Sequence, residues 1–317
     1  MTDIISKIRK QAKREPKTVV LPEYDDSRVK EAAVVIEKEG IARILLLSPD
    51  RMDTQTREKY AEDFFTLRKN KGLSQEEARK MLADPLYYAA MMVRNGVVDG
   101  FVAGAVYTTP DVARAAIRCI GVNHRIKIAS SCFIMVLPDS SLGEDGVFIF
   151  ADCGIVPQPN SGQLASIAIS TAELAKKVLE IEPRIALLSY STKGSSRDDN
   201  IVKVKEAVKL VRQMRPEFLV DGELQADAAI VPDVARVKHA DTILQGRANV
   251  LIFPDLEAGN ISYKLVQRLS HARAIGPIIL GLNRPCSDLS RGCSIDDIVD
   301  CVAVTSIRAQ KYEYSSN

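Results

Sequence analysis

Short apolar runs alternate with segments of helical period along almost the whole 317-residue sequence, a pattern accommodated by a sheet flanked by helices. Residues 18–21 read as a strand ending at Pro22, 28–38 as a helix and 44–47 as a second strand, a β-α-β unit with a right-handed crossover. Residues 50–72 are charged and turn-rich. Ser74 and Glu77 then open a helix that carries Met81, Leu82, Met91 and Met92 toward Gly96. Residues 100–106 form a strand, after which Thr109 caps a helix begun by Pro110. Two apolar strands, 126–137 and 147–151, flank a polar turn and predict an antiparallel hairpin, so the sheet is mixed. From Gln163 the order is helix to Lys177, strand 185–188, helix 202–215 and strand 218–220, then helix and strand again.

The length suits roughly two domains, and no low-complexity linker or repeat separates them. A net charge of +2 excludes a global affinity for nucleic acid or a membrane surface, so an acidic ligand must be held by local arginines. Residues 1–13 read as a basic amphipathic helix rather than a signal sequence, and no apolar run reaches the ~18 residues of a membrane span. Cys119, Cys132, Cys153, Cys286, Cys293 and Cys301 include no C-x-x-C pair, which is reduced, cytoplasmic usage. His124, His239 and His271 lie far apart without an H-E-x-x-H pattern, so no metal ligand is expected. The loop after the first strand, P-E-Y-D-D-S, lacks the G-x-G-x-x-G that cradles a dinucleotide pyrophosphate.

Reactive and anion-binding side chains concentrate in residues 284–299, R-P-C-S-D-L-S-R-G-C-S-I-D-D-I-V. Ile278, Ile279 and Leu280 suit a buried strand that Pro285 cannot continue. Ile295, Ile298, Val299, Val302 and Ile307 recur at helical spacing behind a capping pair, Ser294 and Asp297. Ser290, Arg291 and Gly292 therefore precede a helix N-terminus, where free N–H groups and a partial positive charge favour an anion. Arg291 adds a planar fork for phosphate, Ser290 a hydroxyl for an oxyanion, and Asp297 a base. A plainer reading stands beside this one: Asp297 caps, Arg291 pairs with Asp288 or Asp296, and Cys293 packs as a small hydrophobe.

This stretch, together with V-D-G-E-L-Q-A-D-A-A-I-V-P from Val220, A-N-V-L-I-F-P-D-L-E-A-G-N-I-S-Y-K from Ala248 and L-S-Y-S-T-K-G-S from Leu188, resembles the phosphate acetyltransferase (phosphotransacetylase) family nearly end to end. The resemblance implies two α/β domains with mixed sheets, of isocitrate/isopropylmalate dehydrogenase-like architecture with the active-site cleft between them. Residues 1–127 plus 276–317 would form the first, and 128–275 the inserted second.

It implies reversible transfer of acetyl between acetyl phosphate and coenzyme A, with phosphate released by direct thiol attack in a ternary complex. Asp297, Ser290 and Arg291 would be catalytic. Arg68, Arg114, Thr109, Lys193 and Cys293 would bind coenzyme A or phosphate. Coenzyme A is then a substrate, and no cofactor is expected. The resemblance further implies a homodimer and metabolic coupling to acetate kinase, and it makes Asp221, Glu223 and Asp227 structural rather than cation ligands. The loop holding Lys193 leaves a strand end with hydroxyls and Gly194, an anion site by position and a polar surface loop by composition. A covalent acyl-enzyme on Cys293, thiolate-prone at a helix start, ranks second. Butyryl or propanoyl transfer, a metal- and NAD-dependent decarboxylating dehydrogenase, and a non-catalytic acetyl-CoA-sensing module are the other readings. Tyr107, where the family often has histidine, and Cys286-Ser287, in place of an aliphatic-Asn pair, are its departures.

Overall fold

The computed structural model describes residues 4–138, 141–194, 198–238 and 242–311. Residues 1–3 of the expected first helix, Asp139 and Ser140 of the hairpin turn, Ser195 and Ser196 of the loop after Leu188, and His239 lie outside them. The chain packs as two compact units: Ile5–Asn123 with the described residues from Leu282 onward, and His124–Gly281.

The first unit opens with α1 (Ile4–Ala12), β1 (Thr18–Leu21), α2 (Ser27–Glu39) and β2 (Arg43–Leu46). Asp26 caps α2, accepting from the amides of Arg28 and Val29, and Gly40 ends it in the left-handed region. The charged stretch expected to be turn-rich instead contains a 15-residue helix, α3 (Thr54–Arg68). Its buried face is thin, only Tyr60, Ala61 and Phe64, so the polar majority hides the helical period. The expected helix from Ser74 divides into α4 (Gln75–Leu82) and α5 (Pro85–Arg94). Ser74 and Glu77 do form a capping box, but Asp84 caps anew before Pro85, which has no N–H with which to continue α4. β3 (Gly100–Ala103) and α6 (Thr109–Cys119) follow. The cap of α6 is Thr108, not Thr109: Thr108 is extended and its hydroxyl accepts from the Asp111 amide, placing Thr109 in the first turn.

In the second unit, β4 (Ser130–Val136) and β5 (Val147–Ala151) form the expected antiparallel hairpin, and α7 (Ser161–Leu174) follows. Next come β6 (Arg184–Leu188), α8 (Asp199–Met214), β7 (Leu219–Leu224), α9 (Ala226–Ile230), α10 (Pro232–Lys238), β8 (Val250–Ile252), α11 (Leu256–Leu269) and β9 (Arg273–Leu280). The strand order β9-β4-β5-β8-β6-β7 is mixed: β4 runs antiparallel to β5 and β9, while β5, β8, β6 and β7 pair in parallel. Phe133, Phe148, Phe150, Leu251 and Phe253 fill one core layer.

The chain then returns to the first unit through β10 (Cys286–Asp288) and α12 (Ile295–Gln310). The strand β10 was not expected from sequence, where 284–299 reads as one strand-to-helix turn; behind Pro285 it has three residues to show. It pairs in parallel with β3, giving the order β2-β1-β3-β10 with every strand parallel. The carboxyl ends of β1, β3 and β10 thus lie on one edge, and the loops that leave them meet there. No helix among the described residues is long and apolar enough to cross a membrane.

Candidate active site

Arg28, in the first turn of α2, ties the three loops together. Its guanidinium holds Asp26 through Nε and NH2, at 3.1 and 2.7 Å, and so keeps that carboxylate below its ordinary range. NH2 also donates to the Ala105 carbonyl after β3, at 2.9 Å. NH1 donates to the carbonyls of Arg291 and Cys293 after β10, at 2.9 and 3.1 Å. One planar cation with five donors therefore sets the spacing of the segments.

Glu23 organises the same edge from beneath. It is 7% exposed, and its carboxylate accepts from four successive amides, those of Gly104, Ala105, Val106 and Tyr107, at 2.7–3.1 Å. A run of amides aimed inward is an anion cradle, filled here by the chain's own carboxylate. The Tyr107 hydroxyl donates to Asp84 at 2.7 Å, pinning this loop to the cap of α5.

Asp288 closes β10 and is fully buried. Its Oδ2 accepts from the Thr109 hydroxyl at 2.5 Å, while its Oδ1 has no hydrogen-bond partner. Burial pushes this carboxyl up to about 7 despite the opposing pull of Thr109 and the Leu289 amide, and the nearby charge of Glu23 adds to the rise. Gly104 makes room for it. A Cβ there would lie 2.2 Å from Asp288 Oδ1 and 2.6 Å from the Leu289 amide and carbonyl, and its φ of +119° suits glycine alone.

Beyond Asp288 the turn is held by its backbone. The Cys293 amide donates to the Ser290 carbonyl at 2.9 Å, and the Gly292 amide reaches Ser290 Oγ at 3.3 Å, leaving that hydroxyl its proton to donate. Ser290, Arg291 and Gly292 are exposed. The Arg291 guanidinium takes no side-chain partner among the described residues, because Asp288 is engaged by Thr109 and Asp296 by Arg9, at 2.8 Å. The ion-pair reading of Arg291 therefore falls away.

Asp297 occupies the third position of α12 and completes the capping box. Its Oδ2 accepts from the Ser294 amide at 2.9 Å, and its amide donates to Ser294 Oγ at 3.2 Å. A carboxylate has about four acceptor sites, so capping leaves room for a proton. Cys293 is buried, which favours the plainer reading of a packed small side chain over a helix-start thiolate. Burial pushes its thiol up to about 11 even though Arg28 NH1 lies 3.8 Å from the sulfur and pulls the other way.

The residues matched to coenzyme A run along α6. Thr109 stands at its start, and Arg114 is exposed one turn on, paired with Asp111 at 2.8 Å. Arg68 reaches the far end, where its guanidinium caps the carbonyls of Ile117 and Arg118 at 2.6 and 2.9 Å; burial lowers its pKa. Arg94 joins it on the Cys119 carbonyl at 3.0 Å. An 11-residue helix is about 16 Å long, so these cations are strung out rather than gathered on one anion.

Lys193 belongs to the other unit. There it pairs with buried Asp221, which also meets Arg212 at 3.1 Å and Thr242 at 2.8 Å. Glu223 and Asp227 face Lys205 and Lys238, at 3.5 and 2.6 Å.

Sequence reasoning missed Arg28, Glu23 and Asp288. Asp26-Ser27-Arg28 reads as an ordinary cap followed by a surface arginine, because the carbonyls it binds lie 263 and 265 residues away. A signal did exist for Asp288: a lone acid between small and apolar residues, immediately before the turn.

Residues 3–306 match the family model described as phosphate acetyl/butaryl transferase. The sequence is 46% identical to the phosphate acetyltransferase of Thermoanaerobacterium thermosaccharolyticum, over 97% of this chain and 99% of that protein. It is 45% identical to that of Clostridium acetobutylicum, over 98% and 99%. A solved phosphotransacetylase from Streptococcus pyogenes superposes with a TM-score of 0.90 at 36% identity, covering 98% of this chain and 99% of that one. The chain belongs to the phosphate acetyl/butaryl transferase family.

Proposed function

We propose that the protein transfers an acetyl group reversibly between acetyl phosphate and coenzyme A. The sulfur attacks the carbonyl carbon, its proton passes to Asp297, the bond from carbon to the phosphate oxygen breaks, and phosphate leaves on Arg291. An unperturbed thiol has a pKa of about 8.5, so a small fraction is thiolate at neutral pH and a base accelerates attack. Ser290 stabilises the oxyanion of the tetrahedral intermediate. The observation that carries this reading is the Ser290–Arg291 turn, whose backbone is fixed by Arg28 while the guanidinium stays exposed and unpaired. Arg114 and Arg68 along α6 suit the several phosphates of an extended ligand, Thr109 at its start beside the Ser290–Arg291 turn suits the acyl phosphate, and Lys193 is assigned to phosphate by resemblance alone.

Cys293 serves as a packed neighbour of this turn rather than a nucleophile, so no acetyl-enzyme forms and no cofactor is needed. We place the enzyme in the cytoplasm as a homodimer, metabolically coupled to acetate kinase. The exposed apolar stripe of Ile261, Leu265 and Leu269 on α11 supports a second copy as its cover.

Arg291→Lys tests the phosphate role. An ammonium cannot reproduce the bidentate fork, so turnover with acetyl phosphate should fall on the order of 10²-fold with folding intact. Near-normal kcat and KM in the lysine variant would remove Arg291 from the reaction.

A further inference from the structure

Asp288 takes no part in the mechanism above, and its geometry is unusual. A carboxylate shares its charge over both oxygens, yet Oδ1 is buried without a well-formed hydrogen bond, the adjacent Leu289 amide approaching the carboxyl only loosely, while Oδ2 sits 2.5 Å from the Thr109 hydroxyl. Leaving a charged oxygen buried and unpaired is costly; leaving a neutral carbonyl oxygen so is much less costly. A proton on Oδ2 resolves the conflict. Oδ2–H then donates to Thr109 Oγ1 across the same short contact, and Oδ1 becomes a neutral carbonyl.

The surroundings agree. The titratable groups facing Asp288 are Glu23 from the loop after β1, the Cys301 thiol on α12, 3.8 Å from the Asp288 carbonyl, and Cys286 two residues back on its own strand; α6 presents the neutral Thr109 hydroxyl. Glu23 is an acid, and its charge favours the protonated form of Asp288. Gly104, which lies against Asp288 Oδ1, has no side chain to present to it.

The proton has a consequence for Thr109. While Asp288 is ionised, Thr109 must spend its one hydroxyl proton on Oδ2. When Asp288 is neutral, the Thr109 oxygen accepts and its proton turns free toward the open start of α6.

We propose that Asp288 is a positioning residue that sets the donor direction of Thr109: carrying a proton, it releases the Thr109 hydroxyl to donate to a phosphate oxygen of the acyl phosphate, and losing that proton withdraws the donor. This rests on the acyl-transfer reading above. No proton reaches substrate and no bond changes.

The experiment compares the parent chain with Asp288→Asn, whose amide N–H donates to Thr109 permanently. As pH rises from about 6 to about 8.5, the parent KM for acetyl phosphate should climb about threefold or more relative to the asparagine variant's; ionisation of acetyl phosphate itself cancels in the ratio. Thr109→Ser should keep the rise and Thr109→Val should lose it, which keeps the test alive should the asparagine chain not fold. A KM ratio flat with pH, or a rise that survives Thr109→Val, overturns the proposal.

Melting temperatures without substrate read the proton directly. An acid whose folded pKa is raised from 3.8 to about 7 contributes stability below the lower value that is lost as pH rises through the upper one. The asparagine variant should therefore gain on the parent between those values and hold its gain above. A pH-independent difference overturns the proposal, whereas failure of the parent to form thioester at all counts against the acyl-transfer reading and leaves this second readout to decide the proton.

Discussion

Asp297→Asn is expected to lower kcat about 10²- to 10⁴-fold, the usual cost of removing a general base, with little change in melting temperature. The structure makes this substitution selective. The Asp297 side chain accepts from the Ser294 amide, and an asparagine oxygen can accept the same bond, so the capping box of α12 persists. What is lost is the ability to take a proton. A residue that merely capped would show the reverse pattern, about 1 kcal/mol or less of stability and normal turnover. Raising the pH should partly rescue the variant, since thiolate then accumulates without a base. Early melting with undiminished turnover would make Asp297 a cap and send the thiol proton elsewhere.

Gly104→Ala is expected to cost about 3 kcal/mol and most of the activity together. The added methyl would meet a buried carboxyl oxygen at 2.2 Å and the Leu289 backbone at 2.6 Å, at a φ that L-residues avoid. The Asp288 carboxyl is buried and tied to Thr109, and the Leu289 backbone on the other side has no freedom to turn away. Relief requires either the Glu23 cradle or the segment leading to Ser290 to move, and each holds the site. Urea midpoints and kcat measured on the same preparation check this; a variant with parental values of both would mean that the loop after β3 is not coupled to the turn after β10.

The parts of this site legible in the sequence are those whose signals are local. Ser294 and Asp297 announce the start of α12 because a capping box spans three residues, and the capping box at Ser74 is equally plain. The family motifs carry Ser290 and Arg291. Long-range clasps are a different matter: Arg28 acts on carbonyls, which every residue has, so nothing in the sequence near residues 105, 291 or 293 marks them as its targets. Glu23 was hidden for the same reason, its partners being amides 81 to 84 positions on. The helix α3 escaped because its buried face is three residues wide, and the Thr108 cap because Thr109 beside it is chemically the same. Between a helix-start thiolate and a packed thiol the sequence leaves Cys293 open, because burial, which no local pattern reveals, outweighs Arg28.

The most direct measurement is thioester formation, followed by absorbance, when the purified protein is given coenzyme A with acetyl, propanoyl or butanoyl phosphate in turn. Rapid turnover is expected with acetyl phosphate and slower turnover as the chain lengthens, with both substrates required and no label left on Cys293. Faster turnover of butanoyl phosphate, or ligand binding without thioester formation, would contradict the assignment of this chain as an acetyl-transferring enzyme.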